Sequence, residues 1–250
     1  MSEPTGPLAK GLSGRRHTAL LAAIVVTFAI RPFFGAGPLA LIIFSIAMLV
    51  LLLVALSATQ IEELVGDPAV LLRLRRRRNR IAWLLGLFAT AERLYTLINP
   101  SAQLLTVSTV CWLVFFVFIT ASEFRTLLRH REVTSETIAM AVSTYLLLGL
   151  TWGMLYIVMF QLHPDAFSFG GAPVPTSSLA PVKPDIFPVF IYFSLTTLST
   201  LGFGDILPLS LQARYAAVAE GITGQFYLAI LVARLVGMQM SGANSGQREE

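Results

Sequence analysis

The stretch that decides the fold reads Thr196-Thr197-Leu198-Ser199-Thr200-Leu201-Gly202-Phe203-Gly204-Asp205 and lies between two long apolar segments near the C-terminus. It joins a run of small hydroxyl residues to a Gly-aromatic-Gly triplet and an acid. Gly202 and Gly204 accept positive φ without a Cβ clash, so consecutive carbonyl groups can point to the same side of the chain. Rings of such carbonyls, contributed by several copies around one axis, can replace the hydration shell of an alkali cation. The stretch therefore predicts a loop that binds alkali cations through its backbone.

At Thr200-Leu201-Gly202-Phe203-Gly204-Asp205 the chain resembles the potassium-channel family, whose signature is Thr-Val-Gly-Tyr-Gly-Asp and in which Phe also replaces Tyr. The resemblance implies a selectivity filter with Asp205 at its outer mouth and no cofactor besides the permeant potassium ion. It implies that the ion sites are lined by the Thr200 hydroxyl and by the carbonyls of Thr200, Leu201, Gly202 and Phe203. Phe203 lacks the Tyr hydroxyl that usually braces the filter, which leaves filter rigidity open. A glycine-rich turn in an unrelated membrane protein is the competing interpretation.

The composition indicates a membrane protein with several spans. The chain has 250 residues, of which 55% are hydrophobic and 13% charged, and its mean hydropathy is +0.73. These values are too apolar for a soluble domain. The single Cys111 excludes an intramolecular disulfide, and the three histidines fall in different polar segments. With no metal-ligand cluster and no nucleophile-base pair in the sequence, we expect a protein that is not an enzyme.

Six apolar segments long enough to approach the span of a bilayer predict an all-α membrane protein with six transmembrane helices. They lie at residues 19–34, 39–58, 81–98, 104–121, 137–160 and 215–238. The predicted domains follow from them: a cytoplasmic tail at 1–18, a four-helix domain at 19–121, a cytoplasmic linker at 122–136, a pore domain at 137–240 and a second tail at 241–250.

Between the last two spans the sequence predicts an external turret and a re-entrant helix. Residues 161–185 are rich in Pro, Gly and Ser, which favours a flexible loop without a core of its own. The apolar segment 188–199 is shorter than the roughly 20 residues that cross a bilayer, so we expect a pore helix that enters and ends within the membrane. Its C-terminal residues are Thr196, Thr197 and Ser199. One filter per chain cannot encircle an ion, so we expect a homo-oligomer, and the resemblance implies a tetramer.

The basic residues predict the orientation of the chain. The run Arg73-Leu74-Arg75-Arg76-Arg77-Arg78-Asn79-Arg80 follows the second span, and such runs accumulate in cytoplasmic loops. Both termini are then cytoplasmic, and we expect a multi-pass protein of a prokaryotic plasma membrane. The run is also expected to attract anionic lipid headgroups rather than nucleic acid.

Charges inside the spans raise the question of voltage sensing. Residues 104–121 contain no charged side chain, whereas voltage sensors of the family repeat a basic residue every third position there. We therefore expect weak or no voltage dependence. Glu92 and Arg93 in the third predicted span act either as a sensor or proton relay, or lie near the external end of that helix, where each pairs with a neighbouring helix or snorkels.

Three residues of the last span are candidates for supporting roles. Gly221 and Gly224 serve either as a gating hinge or as small residues that let helices pack closely. Glu220 is expected to face protein behind the filter, where it accepts a hydrogen bond and supports the filter, because a carboxylate facing lipid would be costly.

The leading functional hypothesis is a tetrameric, voltage-insensitive, potassium-selective channel. The alternatives are a nonselective cation channel and a regulatory subunit that conducts poorly alone. A secondary transporter is a further alternative. The two halves of the sequence show no obvious repeat with paired broken helices, which argues against it.

Overall fold

The computed structural model describes residues 16–34, 38–58, 80, 83–84, 87–88, 91, 95, 102–130, 134–170, 172–173 and 186–246. Six long or medium helices lie in these ranges: α1 (Arg16–Phe34), α2 (Pro38–Ala58), α3 (Ala102–Arg129), α4 (Ser135–Leu162), α5 (Ile186–Leu198) and α6 (Leu211–Gly246). Short elements join them: a 3-10 turn (Pro164–Ala166), and strands β1 (Phe167–Phe169), β2 (Ala172–Pro173) and β3 (Ile206–Pro208). The arginine run before Arg80, Glu92 and Arg93, and most of the third predicted span lie outside the described residues.

Three of the described helices are long and apolar enough to cross a membrane. These stretches are Gln103–Arg129, Ser135–Leu162 and Leu211–Gly237. Within the described ranges α1 and α2 supply only the shorter apolar stretches His17–Ala29 and Ile46–Ala55. The predicted total of six spans therefore stays a prediction. With 13 residues, α5 is too short to cross a bilayer, in line with the expectation for segment 188–199.

Helix α4 is the centre of the packing. It contacts α1, α3, α5 and α6, and α5 also packs against α6. Two glycines let α5 approach α4 closely: a Cβ on Gly149 would lie 2.6 Å from Leu195 Cδ2, and one on Gly153 would lie 3.2 Å from the Phe190 carbonyl oxygen. Helix α5 is thereby seated directly on α4 rather than on a layer of larger side chains.

An aromatic cluster fills the space between α4, α5 and the strands. The rings of Tyr156 and Phe193 lie 5.0 Å apart and those of Phe167 and Phe190 lie 4.9 Å apart, both edge to face. This arrangement matches the quadrupoles of the rings and adds to the gain from their burial. The cluster holds in place the part of α5 that contains Phe190 and Phe193.

The strands correct the prediction of an all-α protein with a structureless turret. The protein is mostly helical, but within the described residues β2, β1 and β3 form an antiparallel sheet in that order. Phe167 pairs with Pro208, and Phe169 with Ile206. Because residues i and i+2 of a strand share a face, Phe167 and Phe169 can both join the aromatic cluster. Three residues are too few for the alternation to be recognised in the sequence, and here burial of two rings outweighs the turn-forming composition around them.

Candidate functional site

The loop after α5 has an unusual backbone. Thr200, Gly202 and Gly204 have φ values of 60°, 51° and 78°, whereas Leu201 and Phe203 between them have negative φ. Such an alternation allows successive carbonyl groups to lie on one side of the chain. The two glycines tolerate positive φ freely, but Thr200 is a non-glycine residue in a sparsely populated region. Loop 199–205 is therefore held in its conformation by its surroundings.

The end of α5 supplies those surroundings. The last four carbonyls of a helix lack helical partners, and here each of them is bonded. The Thr196 carbonyl accepts from the N–H groups of Leu201 and Gly202 at 2.8 and 3.1 Å, and the Thr197 carbonyl accepts from Thr200 N–H at 3.0 Å. The remaining two, at residues 195 and 198, accept from Ser199 N–H at 3.0 Å and from the Tyr145 hydroxyl at 3.2 Å. The start of the loop is thus fastened to the helix backbone.

The predicted pore-helix hydroxyls bond to their own helix rather than to the loop. Thr196 Oγ1 and Thr197 Oγ1 donate to the Phe193 carbonyl at 2.9 and 2.8 Å. Ser199 Oγ donates to the Leu195 carbonyl at 2.6 Å. These hydroxyls stabilise the last turn of α5, from which the loop departs.

Tyr192 is a residue of the site that the sequence reasoning missed. Its ring stacks in parallel on Phe203, with centroids 6.1 Å apart and planes 2° apart. Its hydroxyl also interacts with the Asp205 carboxylate. Tyr192 lies on α5, so it supports the loop from the helix side. The only signal in the sequence was an aromatic residue two turns before the loop, which by itself is typical of any apolar helix.

The outer end of the loop is joined to the sheet. Asp205 accepts a backbone hydrogen bond from Gly170 N–H at 2.8 Å, and Leu209 N–H donates to the Ala166 carbonyl at 2.8 Å. Strand β3 begins at the next residue after Asp205 and pairs with β1. In the single chain the six residues predicted as the filter are exposed, with 63% of Leu201 and 66% of Phe203 accessible.

Glu220 lies fully inside the protein and joins three helices. Its Oε2 accepts from the Tyr156 hydroxyl at 2.6 Å, and its Oε1 contacts Ser194 Oγ. Ser194 Oγ also donates to the Gly149 carbonyl at 2.7 Å. A glutamate in an apolar helix indicated that partners must exist. Tyr156 and Ser194 belong to α4 and α5, so no spacing within one helix could identify them.

Gly221 and Gly224 differ sharply in their surroundings. A Cβ on Gly224 would lie 2.2 Å from the Leu198 carbonyl oxygen, whereas one on Gly221 would lie 3.8 Å from the Thr197 carbonyl oxygen. The backbone of α6 is helical through both positions. Gly224 therefore marks the closest approach of α6 to the end of α5, and the hinge role of either glycine stays a prediction.

Arg234 connects α6 to α3. Its Nη1 donates to the Leu127 carbonyl at 2.7 Å and its Nη2 to the Leu128 carbonyl at 2.6 Å. Nη2 also donates to the His130 carbonyl. A cation that bonds the free carbonyls at a helix C-terminus also meets the negative end of the helix dipole. Arg234 thus caps the C-terminus of α3.

The family comparison agrees with this geometry. Residues 145–240 match a protein-family model described as ion channel. The match includes part of α4, all of α5, the loop and most of α6. A search of curated protein sequences found no match to the chain. Residues 145–240 therefore form an ion-channel domain, and together with the three long apolar helices they indicate a membrane protein.

Proposed function

We propose that the protein is a potassium-selective channel in which four identical chains place loop 199–205 around one axis. The observation that carries the proposal is the alternation of φ from Thr200 to Gly204. It suits carbonyls that face a common axis and replace the water around a potassium ion. A single chain supplies only one side of such a ring, which is why the proposal includes a homotetramer.

Helix α5 favours a cation at the inner end of the loop. It ends at Leu198, directly before the loop. The C-terminus of a helix carries about half a negative charge. Four such ends around the axis would lower the energy of a cation before it enters the filter.

The loop in this proposal is braced by two side chains, Tyr192 directly and Glu220 through helix α5. Tyr192 supports Phe203 and Asp205, and Glu220 holds Ser194 of the same helix. This bracing takes the place of the hydroxyl that Phe203 lacks. Bracing of this kind favours a loop that keeps its shape when ions move through it.

We further propose that opening is independent of voltage. Helix α3 contains no basic residue before Arg125, and steep gating requires several charges that move through the membrane field. Potassium conduction is passive in this proposal, across a prokaryotic plasma membrane, with both termini cytoplasmic and Arg73 to Arg80 near anionic lipid.

The test is the reversal potential of purified protein in planar bilayers under opposed potassium and sodium gradients, measured across a range of voltages. Reversal near the potassium equilibrium potential supports selectivity, and reversal near zero means a nonselective cation channel. Absence of current from intact oligomers means a regulatory subunit. An open probability that changes steeply with voltage would overturn the voltage independence.

A matched pair of variants separates the effect of altering the loop from the effect of backbone strain alone. Gly202 and Gly170 both have positive φ, 51° and 62°, and a Cβ on either would meet nothing within 4 Å. Alanine at either position costs similar strain, about 1 kcal/mol. We expect Gly202→Ala to abolish selective current and Gly170→Ala to retain it.

A further inference from the structure

A chain of four polar groups runs through the interior between α4, α5 and α6. It leads from the Tyr156 hydroxyl to Glu220 Oε2 over 2.6 Å, from Glu220 Oε1 to Ser194 Oγ, and from Ser194 Oγ to the Gly149 carbonyl over 2.7 Å. The side chains of Ser194, Tyr156 and Glu220 are all 0% exposed. We call this set the buried carboxyl link.

The count of hydrogen atoms in the link determines where a proton must lie. A serine hydroxyl has one proton to donate, and an ionised carboxylate has none. Ser194 Oγ stands at hydrogen-bond distance from two oxygen atoms, Glu220 Oε1 and the Gly149 carbonyl. If Glu220 were ionised, one of these two contacts would bring oxygen atoms together without a proton between them. A proton on Glu220 Oε1 gives every contact of the link one donor and one acceptor.

The surroundings of Glu220 lead to the same protonation state. The polar side chains that contact it among the described residues are two hydroxyls, and neither carries a positive charge. A buried carboxylate without a cationic partner is costly in protein and more so within a membrane. A neutral carboxylic acid avoids that cost and keeps both hydrogen bonds.

We infer that Glu220 is a neutral acid at neutral pH, which donates to Ser194 and accepts from Tyr156, and that it acts as a positioning residue for α5. Ser194 lies two residues before Thr196, whose carbonyl holds the N–H groups of Leu201 and Gly202. The link thus fixes the part of α5 from which the loop starts. The inference deepens the proposed bracing of the loop by Glu220 and rests on it for the effect on conduction. The protonation state itself does not depend on which ion passes.

Infrared spectroscopy of the purified full-length protein at neutral pH tests the proton directly. We expect a carbonyl stretch of a protonated carboxyl group that shifts in heavy water and is lost in Glu220→Gln. The matched control is Glu136→Gln, since Glu136 accepts hydrogen bonds from His17 N–H and the Thr18 hydroxyl outside the link; this variant should retain the band. Loss of carboxylate bands alone in Glu220→Gln would overturn the inference.

Ser194→Ala provides a second readout that does not require Glu220→Gln to fold. This variant keeps the acid but removes its acceptor, so the protonated band should remain and move to higher frequency. An unchanged band position would mean that Glu220 does not donate to Ser194, and the inference would fail.

Two replacements of Glu220 distinguish a positioning role, which needs its hydrogen bonds, from a role that only fills space. Gln can accept from Tyr156 and donate to Ser194, so we expect Glu220→Gln to keep the thermal stability of the oligomer and its current. Glu220→Leu fills the space without either bond and should lower the melting temperature and destabilise the current. Equal behaviour of the Gln and Leu variants would refute the positioning role. A nonselective current in the unmodified protein would instead refute the potassium proposal and leave the infrared result standing.

Discussion

Gly224→Ala is expected to push α6 away from the end of α5. The added Cβ would lie 2.2 Å from the Leu198 carbonyl oxygen and 3.1 Å from the Leu198 carbonyl carbon. The opposing atoms are backbone, so no rotamer change can relieve the overlap. The two helices must separate by about 1 Å to restore an ordinary contact. That shift also strains the bond from Tyr145 to the same carbonyl, 3.2 Å long in the structure.

The magnitude follows from two opposing effects. Overpacking against a well-packed neighbour costs about 1–3 kcal/mol, and the rigid backbone places this site at the upper end. Alanine gains about 1 kcal/mol over glycine in a helix interior. The net loss is about 2 kcal/mol per chain, which corresponds to a fall in melting temperature of about 4–8 °C for a protein of this size.

Gly221→Ala is the matched control, one turn away on the same helix. Its Cβ would lie 3.8 Å from the Thr197 carbonyl oxygen, an ordinary contact. It gains the helix propensity without the overlap, so its melting temperature should equal or slightly exceed that of the unmodified protein. The assay is thermal unfolding of both purified variants together with their bilayer currents. If Gly224→Ala melts as high as Gly221→Ala, the close-packing argument is wrong; altered opening at unchanged stability would point to a hinge.

Two further predictions concern polar contacts of the site. Tyr192→Phe keeps the stack on Phe203 but removes the contact with Asp205, so we expect sustained potassium current to decline faster than in the unmodified channel. Tyr192→Leu also loses the stack and should reduce selectivity in the reversal-potential measurement. Unaltered current in both variants would exclude Tyr192 as a brace. Arg234→Gln removes the cap of α3 and should lower stability by about 1–2 kcal/mol, measured by thermal unfolding. Arg125→Gln is its control, because the exposed Arg125 makes no polar contact within the described residues; equal losses in the two would contradict the capping role.

The parts of the site that depend on local chemistry were predictable from the sequence. Gly202 and Gly204 predicted positive φ, because glycine alone adopts it without strain. Both residues have positive φ in the structure. The short apolar segment before them predicted a helix too short to span the membrane, and α5 has that length. Thr200 could not be predicted in the same way, since its positive φ is imposed by bonds from the end of α5 rather than preferred by threonine.

The parts that depend on contacts between distant segments were not predictable. The charges of residues 122–136 predict a linker, whereas α3 continues through the first part of this segment to Arg129. Phe124 and Leu127 of this stretch share one helix face and pack near Tyr227 of α6. The prediction of a linker gave weight to the charged residues of this stretch and overlooked the apolar ones between them.

The cap that Arg234 places on α3 means that the ion-channel domain is not a detachable module. A fragment beginning at α4 would keep the loop and its helices but leave this guanidinium without its three carbonyls. The face of α4 that lies against α1 and α3 would be laid bare at the same time. The N-terminal helices therefore form part of the packing of the ion-channel domain. A chimera that joins this domain to a different set of helices must supply a new hydrogen-bond acceptor for Arg234.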